Sequence, residues 1–385
     1  MAVQLVVKAG AHARRNCVTR AVVPWKGSLP KSVSMKSASE TVVCAQVESQ
    51  TEDSLSVVWV VPAMLAGETE TWTLHVADEK TPEEVVCAQE TDDQLSLKVT
   101  GTEVGRYQYG SKWARPFLYP LLAPKGLRPT RGFPVVEGIA DEDHDHPHHK
   151  SVWVAHGDVN GTDNWSEHTG HGATRHLGFN KIISGSVFGG FSSSNEWLTG
   201  DEKKILSESR EVLLYNTSND ERLLDFAITF HATEGDVKFG DTKEGGLLSV
   251  RVRGSMNGKR EGLITNANGA LTESETWGHR AAWCDYSGPA DGLLCGIAVF
   301  DNEANPLFPT YWHVRDYGLM TANPFALSAY KNDKTLDGSW TLPAGKTATF
   351  RYRILIHLGN CSEGRVAEKY QDYANAPRVD VVSGA

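Results

Sequence analysis

The histidines of this chain are concentrated in one short segment. The imidazoles of His144, His146, His148 and His149 lie within six residues, and eight of the fourteen histidines lie between positions 144 and 176. On an extended chain the first three would point to one side and His149 to the other. Neutral imidazole is a common metal ligand and also titrates nearest to pH 7. The segment therefore predicts either a metal site or a proton-transfer site.

A buried strand with polar residues at its end follows the histidines. Residues 151–156 (SVWVAH) predict the strand. Three polar candidates come next: His156, Asp158 and Asn160. Polar groups at strand ends are held rigidly over the face of a sheet. Trp153 and Trp165 add flat apolar surfaces, on which the C–H face of a sugar ring packs while charged groups bind its hydroxyls.

Two later motifs mix Trp, His, Arg and Asp, namely TWGHRAAWCDY at 276–286 and TYWHVRDYG at 310–318. Core packing does not require this density, because buried charges are costly unless paired. We expect His279 and His313 to take part in catalysis. We expect three further residues to bind substrate: Arg280, Arg315 and Asp316. The alternative is that Arg280 with Asp285, and Arg315 with Asp316, form structural ion pairs.

A glycine-bounded loop at 240–246 (GDTKEGG) carries a candidate carboxylate, Glu244, immediately before a strong strand. A carboxylate beside an imidazole is the usual pairing for general acid/base chemistry. The alternative is an exposed charged turn without a chemical role.

Composition narrows the range of partners. The chain has 385 residues and a formal net charge of −10, which would repel a nucleic-acid backbone. The longest apolar run, 57–66, contains Pro62 and is about half of the ~20 residues that a membrane-spanning helix needs. No secretory signal pattern is present, so we expect a cytoplasmic protein with neither a membrane nor a nucleic-acid partner. Whether it forms a homo-oligomer is left open.

Alternating apolar and polar residues predict an all-β fold. Residues 224–230, 248–252 and 350–358 each place apolar side chains on one face of a strand and mostly polar ones on the other. We expect a smaller N-terminal β-sandwich over 1–100 and a large, supersandwich-like antiparallel β-sandwich over 101–378 that carries the site. A single clear helix is predicted at 363–374.

Four of these motifs, in order, resemble a known family. The segments are DHPHHKSVWVAHGDVNGTDNW, GDTKEGG, WGHRAAWCDYSGP and PTYWHVRDYGLMTANPF. Together they resemble a bacterial domain family labelled "methane oxygenase PmoA". The resemblance covers about residues 100–375 and implies a role in carbohydrate catabolism without a transferable reaction. The all-β pattern is also similar to the supersandwich of galactose mutarotases and related sugar enzymes.

These observations favour a carbohydrate-active enzyme that performs general acid/base chemistry on a sugar or an oxidised sugar such as a keto-glycoside, as a hydrolase, lyase or epimerase. His149 and His156 are the candidate acid and base, and Glu244 or Asp158 is the carboxylate partner. His148 is a further substrate-binding residue. No cofactor is certain, although some of His144, His146 and His148 could hold one divalent metal ion.

Two other functions remain as alternatives to the enzyme hypothesis. One is a carbohydrate-binding protein without catalysis, in which the tryptophans form the binding platform. The other is a metal-dependent oxygenase, which needs two histidines and a carboxylate around a redox metal.

Overall fold

The computed structural model describes residues 3–77, 79, 81–140 and 142–382. It is an all-β protein whose strands pair antiparallel, which confirms the predicted fold class. The first six strands are β1 (Val3–Lys8), β2 (Arg14–Pro24), β3 (Ser32–Ser37), β4 (Val42–Gln50), β5 (Ser54–Met64) and β6 (Thr69–Ala77). Five strands follow: β7 (Val85–Thr91), β8 (Gln94–Val99), β9 (Thr102–Gln108), β10 (Phe117–Leu121) and β11 (Val152–His156).

The second half of the chain supplies fourteen strands. The first seven are β12 (Ala173–Ile183), β13 (Phe188–Leu198), β14 (Lys204–Tyr215), β15 (Glu221–His231), β16 (Val237–Phe239), β17 (Gly245–Arg251) and β18 (Leu263–Asn266). The others are β19 (Trp283–Ala290), β20 (Leu293–Asp301), β21 (Trp312–Arg315), β22 (Leu319–Ala322), β23 (Trp340–Leu342), β24 (Thr347–Leu358) and β25 (Arg378–Val382). Three short helices are present among the described residues: α1 (Thr272–Thr276), α2 (Leu327–Tyr330) and α3 (Val366–Ala374).

The strands form one seven-stranded sheet, two eight-stranded sheets and a two-stranded ribbon of β16 and β23. Sheet 1 has the order β2-β5-β4-β3-β6-β1-β25, sheet 2 the order β21-β22-β17-β11-β10-β9-β8-β7, and sheet 3 the order β12-β13-β14-β15-β24-β20-β19-β18. Strand β25 also contacts β2, so sheet 1 curves around its own core.

Strand pairing divides the chain differently from the predicted ranges. Strands β7 and β8 join sheet 2 through β9, so the predicted boundary at residue 100 falls inside that sheet. The last strand, β25, pairs with β1 in sheet 1. The C-terminal helix is present but begins at Val366, because Arg365 adopts a left-handed backbone conformation and the residues before it form turns.

The main core lies between sheets 2 and 3. On β11 it takes Val152 and Val154, which pack with residues of sheet 3 such as Phe226 and Ile354. Since successive side chains of a strand point to opposite faces, Trp153 lies on the other face of sheet 2. We call this the site face, meaning the face of sheet 2 turned away from sheet 3. The outer face of sheet 3 is covered by α3 and by residues of sheet 1.

The six cysteines are all free thiols. No helix in the described part of the chain is long and apolar enough to cross a membrane.

Candidate functional site

Three strands of sheet 2 bring the candidate residues together on the site face. Trp153 of β11, Arg251 of β17 and His313 of β21 each alternate with neighbours that enter the main core. Each of the three has 2% or less of its surface exposed. The residues therefore belong to one layer, which loops then cover.

The histidine-rich loop is held in place by Arg131, a buried residue. Its Nη1 donates to the backbone oxygens of Asp143 and Asp145 at 3.1 and 2.8 Å. Its Nη2 donates to the backbone oxygens of His146 and His149 at 2.8 and 3.1 Å. A guanidinium has five donors in a rigid fork, so one side chain can fix four carbonyl groups of a loop that has no regular secondary structure.

The Asp145 carboxylate joins this loop to sheet 2. Its Oδ1 accepts hydrogen bonds from Arg131 and Arg251, both at 2.6 Å, and its Oδ2 lies 2.9 Å from Nδ1 of His146. Burial alone would raise the pKa of Asp145, but the His146 contact and the two guanidinium charges lower it below its ordinary value. Asp145 therefore remains ionised and binds two buried arginines.

Four stacked rings lie next to these Arg131, Asp145 and Arg251 side chains. The ring centroids of Tyr317 and His146 are 5.0 Å apart, those of His146 and His149 4.7 Å, and those of His149 and Trp153 5.2 Å, all near parallel. Trp165 meets His149 edge-on at 5.1 Å. The aromatic wall predicted from Trp153 and Trp165 is therefore larger, since two imidazoles and Tyr317 extend it.

Within this wall, His149 is a neutral imidazole of defined tautomer. Arg251 donates to its Nδ1 at 3.1 Å, so the ring proton must be on Nε2. Burial, followed by the charges of neighbouring groups, lowers the pKa of His149 well below its ordinary value. Its buried Nε2 has no hydrogen-bond partner among the described residues. His149 is thus a fixed hydrogen-bond donor.

The loop that carries Glu244 is fixed at two carbonyl groups. Nε2 of His156 donates to the backbone oxygen of Gly240 at 2.9 Å. Nδ1 of His313 donates to the backbone oxygen of Lys243, which also accepts from Asn323 at 3.4 Å. Glu244 itself projects outward, with about half of its side chain exposed and an ion pair to the adjacent Lys243.

Glu244 interacts electrostatically with two imidazoles, those of His148 and His313. Burial would raise the pKa of Glu244, but the Lys243 contact and these two imidazoles lower it, so the group is ionised at neutral pH. In return, the negative charge of Glu244 raises the pKa of both histidines and so partly offsets the lowering caused by burial. The three side chains form a single electrostatic unit.

Both imidazoles of this unit are neutral at pH 7. Burial lowers the pKa of His148 to about 3 and that of His313 to about 4. His313 uses its Nδ1 proton for the Lys243 carbonyl, which leaves a lone pair on Nε2. Within the described part of the chain, neither that nitrogen nor either ring nitrogen of His148 has a hydrogen-bond partner. These nitrogens are therefore free to bind a ligand.

Three predicted site residues lie away from this unit. His156 is on the opposite face of sheet 2 from Trp153, because the two are three positions apart on one strand, and it packs against Phe239 and Phe325. Asp158 accepts from the backbone of Gly161 at 2.8 Å within a turn. Asn160 donates to the backbone oxygen of residue 236 and accepts from the backbone of residue 238.

The motif at 276–286 meets the unit through Trp277, whose ring lies edge-on to that of His313 at 6.5 Å, whereas His279 and Arg280 bond elsewhere. His279 is exposed and bonds to the backbone oxygen of Trp277. Arg280 is exposed and donates to the backbone oxygens of Leu307 and Pro309 at 2.6 and 2.7 Å. The alternative ion pair of Arg280 with Asp285 is not formed, because Asp285 bonds to His357 at 2.9 Å.

The motif at 310–318 contributes its histidine and its last aromatic ring. Arg315 lies 5.7 Å from the ring of Tyr317 and forms an ion pair with Glu273 at 3.1 Å. The alternative pairing of Arg315 with Asp316 is therefore not observed. Glu273 also accepts from the backbone nitrogen of Asp316 at 2.6 Å, so it fixes the turn that presents Tyr317.

The residues present do not fit the divalent ion considered from the sequence. His146 has a φ of +40°, so the segment is not extended, and the backbone of His149 bonds to that of His146 at 2.9 Å in a turn. His144 stacks on Phe133 at 4.5 Å. Among the described residues, no group of three or more His, Cys, Asp or Glu side chains is arranged to hold a metal ion.

Sequence reasoning missed the residues that organise the site. Arg131, Asp145, Arg251 and Tyr317 were not among the candidates, although each contacts the histidine loop or its aromatic wall. The sequence did contain a signal for Arg251. This residue lies on the polar face of a predicted strand, and that strand pairs with the strand that carries Trp153. Arg131 has no such pattern around it and became evident only from the three-dimensional contacts.

The buried histidines make stability depend on pH. We expect the free energy of unfolding to fall as the pH decreases from about 6.5 to about 4. In this window an unfolded histidine binds a proton, whereas the pKa of His156 and that of His313 are each lowered to about 4 by burial. Each imidazole contributes roughly 3 kcal/mol across the window, at 1.36 kcal/mol per pKa unit.

A carboxyl group acts in the opposite direction to these histidines. Burial raises the pKa of Asp301 to about 6, which stabilises the folded state as the pH falls below that value. The pKa of Glu211, Asp372 and His357 is raised as well, so four groups oppose the five histidines whose pKa is lowered: His148, His149, His156, His176 and His313. Carboxylates with a lowered pKa, such as Asp145, act with these histidines, so the net effect remains destabilising. Urea unfolding at pH 7, 5.5 and 4.5 measures the dependence. A free energy that is constant or rising toward pH 4.5 would contradict it.

Comparison with protein families gives one match. Residues 94–371 match the model of a family of unknown function (DUF6807). The label "methane oxygenase PmoA" is not supported by this match. No curated protein matches the sequence.

Comparison with solved structures gives sugar-processing enzymes at low similarity. A glycosyl hydrolase family 38 protein from Enterococcus faecalis aligns over 99% of this chain and 47% of its own, with 8% identity and a TM-score of 0.48. An alpha-mannosidase from Enterococcus faecalis V583 aligns over 99% and 46%, with 9% identity and a TM-score of 0.44. An alpha-galactosidase from Lactobacillus brevis aligns over 72% and 40%, with 8% identity and a TM-score of 0.33. The chain spans about half the length of the first two, and these scores assign it neither substrate nor reaction.

Proposed function

We propose, for a chain that belongs to the DUF6807 family of unknown function, that the unit of His148, Glu244 and His313 is an active site for general acid/base chemistry on a carbohydrate. The observation that carries the proposal is one ionised carboxylate that interacts with two neutral imidazoles whose free ring nitrogens lack protein partners.

His313 is the proton acceptor in this proposal. Its Nδ1 proton is committed to the Lys243 carbonyl, so its Nε2 lone pair is available to take a proton from a sugar hydroxyl or from a carbon beside a carbonyl. The imidazolium that forms would be costly in a buried position. Glu244 lowers that cost, because its negative charge favours the protonated form of His313.

His148 and the aromatic wall bind and orient the sugar. The neutral ring of His148 has an N–H that can donate to a substrate oxygen, and its edge faces the Trp165 ring at 5.9 Å. Tyr317 and His146 are the more exposed rings of the stack. Because Tyr317 and His149 cover both faces of the His146 ring, these rings can contact a sugar at their edges. The arrangement suits a hydrolase, a lyase or an epimerase. Identification of the substrate and its product distinguishes these three reaction classes.

One observation favours the second function, carbohydrate binding without catalysis. A general base works best when its pKa is near the working pH, whereas the pKa values of His148 and His313 are about 3 and 4. At those values the imidazoles act at pH 7 as neutral hydrogen-bonding groups. A binding protein therefore predicts affinity for sugars that is independent of pH between 5 and 8, with no product formed.

The test is turnover by the wild-type protein and by Glu244→Gln. Glycosides, 3-keto-glycosides and uronic-acid oligosaccharides are incubated with each protein, and products are followed by mass spectrometry. We expect Glu244→Gln to lower kcat at least about tenfold, since each pKa unit lost by the His313 imidazolium corresponds to a factor of ten. The acid limb of the pH profile should move to lower pH, because the removed charge had raised the pKa of His313.

The matched control is Glu234→Gln, another glutamate paired with a lysine, here Lys204 at 3.2 Å, outside the site. It should behave as wild type. Absence of turnover of every sugar, together with unchanged sugar binding by Glu244→Gln, would refute the catalytic proposal. Binding without turnover that is weakened by Glu244→Gln would support the binding function.

A further inference from the structure

Two adjoining cavities lie beside the candidate site. The larger, about 780 Å³, is lined by the loops at 109–116 and 171–176 and by the β7–β8 turn. The smaller, about 530 Å³, lies along β12. Both are lined by Tyr109 and by His176, so the two spaces meet at these side chains. Ligand sites in proteins occupy about 300–1,000 Å³, so each cavity is large enough for a small molecule.

Partly exposed aromatic rings follow the length of these cavities. Trp113 lines the larger one, Tyr109 and His176 stand where the two meet, and Phe179 lines the smaller one. The rings of Tyr109 and His176 are 4.5 Å apart, and those of His176 and Phe179 4.6 Å. Aromatic faces in a row, mixed with charged side chains, suit successive sugar rings, each of which has an apolar face and a polar rim.

A network of ion pairs links the larger cavity to the end of the histidine-rich loop. Glu167 lines the cavity and binds both Arg115, at 3.1 Å, and Lys150, the residue after His149. Arg115 is fully buried, and its Nε has no partner in the described part of the chain. The Trp113 ring packs edge-on against Phe117 at 5.3 Å, in the same cluster as Trp153 and Trp165. The cavity is therefore adjacent to the aromatic wall.

We propose that the two cavities form one groove that binds an oligosaccharide, with Trp113, Tyr109 and Phe179 as successive platforms. The inference rests on the proposed function, because the groove then holds the sugar units beyond the one at His148, Glu244 and His313. It assigns the substrate to the class of oligosaccharides or extended glycosides instead of single sugars.

The experiment measures binding as a function of chain length. Oligomers of glucose, mannose, galactose and galacturonic acid, each of one to five units, are titrated into the wild-type protein by calorimetry. We expect affinity to rise with length in at least one series. Trp113→Ala should weaken binding of the trimer and longer oligomers about tenfold and leave the monomer unchanged. Phe179→Ala should affect only the longest oligomers, because it lines the smaller cavity.

Trp25→Ala is the matched control. Trp25 is a partly exposed tryptophan next to the end of β2 in sheet 1, and it lines neither cavity. Circular dichroism of each variant confirms folding before titration. Length-independent affinity, binding by none of the four series, or equal effects of Trp25→Ala and Trp113→Ala would each overturn the groove.

Different results would refute the proposed acid/base site and the proposed groove. Turnover of a single sugar by the wild-type protein, without dependence on chain length, would support the acid/base site and overturn the groove. Length-dependent binding that Trp113→Ala weakens, without turnover of any oligomer, would support the groove and leave the protein as a carbohydrate binder.

Discussion

Replacement of His313 by alanine should lower kcat by about 10²- to 10⁴-fold on whichever sugar the wild-type protein turns over, which is the range that a positioned general base contributes. The substitution removes the nitrogen that accepts the proton. It leaves Asn323 bonded to the Lys243 carbonyl, so the Glu244 loop keeps one of its two donors there. The measurement is steady-state kinetics at several pH values. KM should change less than kcat, because the aromatic wall that binds the sugar is intact.

His279→Ala is the control for this substitution. His279 also lies in a tryptophan-containing motif, but it is exposed and its ring bonds to the backbone oxygen of Trp277. Its kinetics should match those of the wild type. A folded His313→Ala protein with kcat within threefold of wild type would show that His313 is not the base. His148 would then be the remaining imidazole paired with Glu244.

The strands could be predicted because their alternation has a simple physical cause. A strand buried on one face repeats every two residues, and the patterns at 224–230, 248–252 and 350–358 lie in β15, β17 and β24. The same rule, applied to 152–156, separates Trp153 from His156. Both residues were predicted to belong to one site, but their side chains lie on opposite faces of sheet 2.

The histidine loop was recognised, but its conformation could not be predicted. An extended chain would place His144, His146 and His148 together. The turn at His146 instead stacks that ring between the nearby His149 and Tyr317, which comes from a distant position in the chain. Such a turn depends on Arg131, which donates to four backbone oxygens, and on Asp145, whose carboxylate binds the side chains of Arg131, Arg251 and His146. Contacts of this kind have no spacing that a sequence pattern would show.

The ion-pair partners of charged residues could not be predicted from the sequence either. Arg280 and Asp285, or Arg315 and Asp316, are close in sequence, and sequence proximity favoured pairing within each motif. In the fold their partners come from elsewhere: Asp285 bonds to His357, and Arg315 to Glu273. Asp285 and His357 lie on β19 and β24, which β20 separates in sheet 3, and Glu273 lies in α1. Both partners are therefore set by the tertiary fold and not by proximity in sequence.

The conformation of the histidine loop depends on a single buried side chain. Arg131 has 1% of its surface exposed and donates to four backbone oxygens and to the Asp145 carboxylate. Burial, followed by the charge of Arg251, lowers the pKa of Arg131 to about 10, so it is still charged at pH 7. Without it, Asp145 would retain Arg251, but the four carbonyls would lose their donor.

Arg131→Leu should therefore destabilise the protein by about 3–5 kcal/mol, the cost of removing one partner from a buried ion pair. Arg131→Lys should recover little of this, because an ammonium cannot span four carbonyls with the geometry of a guanidinium fork. Urea unfolding measures the loss, and amide exchange should show faster opening at 143–149. Arg106→Met, which breaks the more exposed pair with Glu103, is the control and should cost little. A free energy of unfolding for Arg131→Leu within about 1 kcal/mol of wild type would show that packing, and not this guanidinium, fixes the histidine loop.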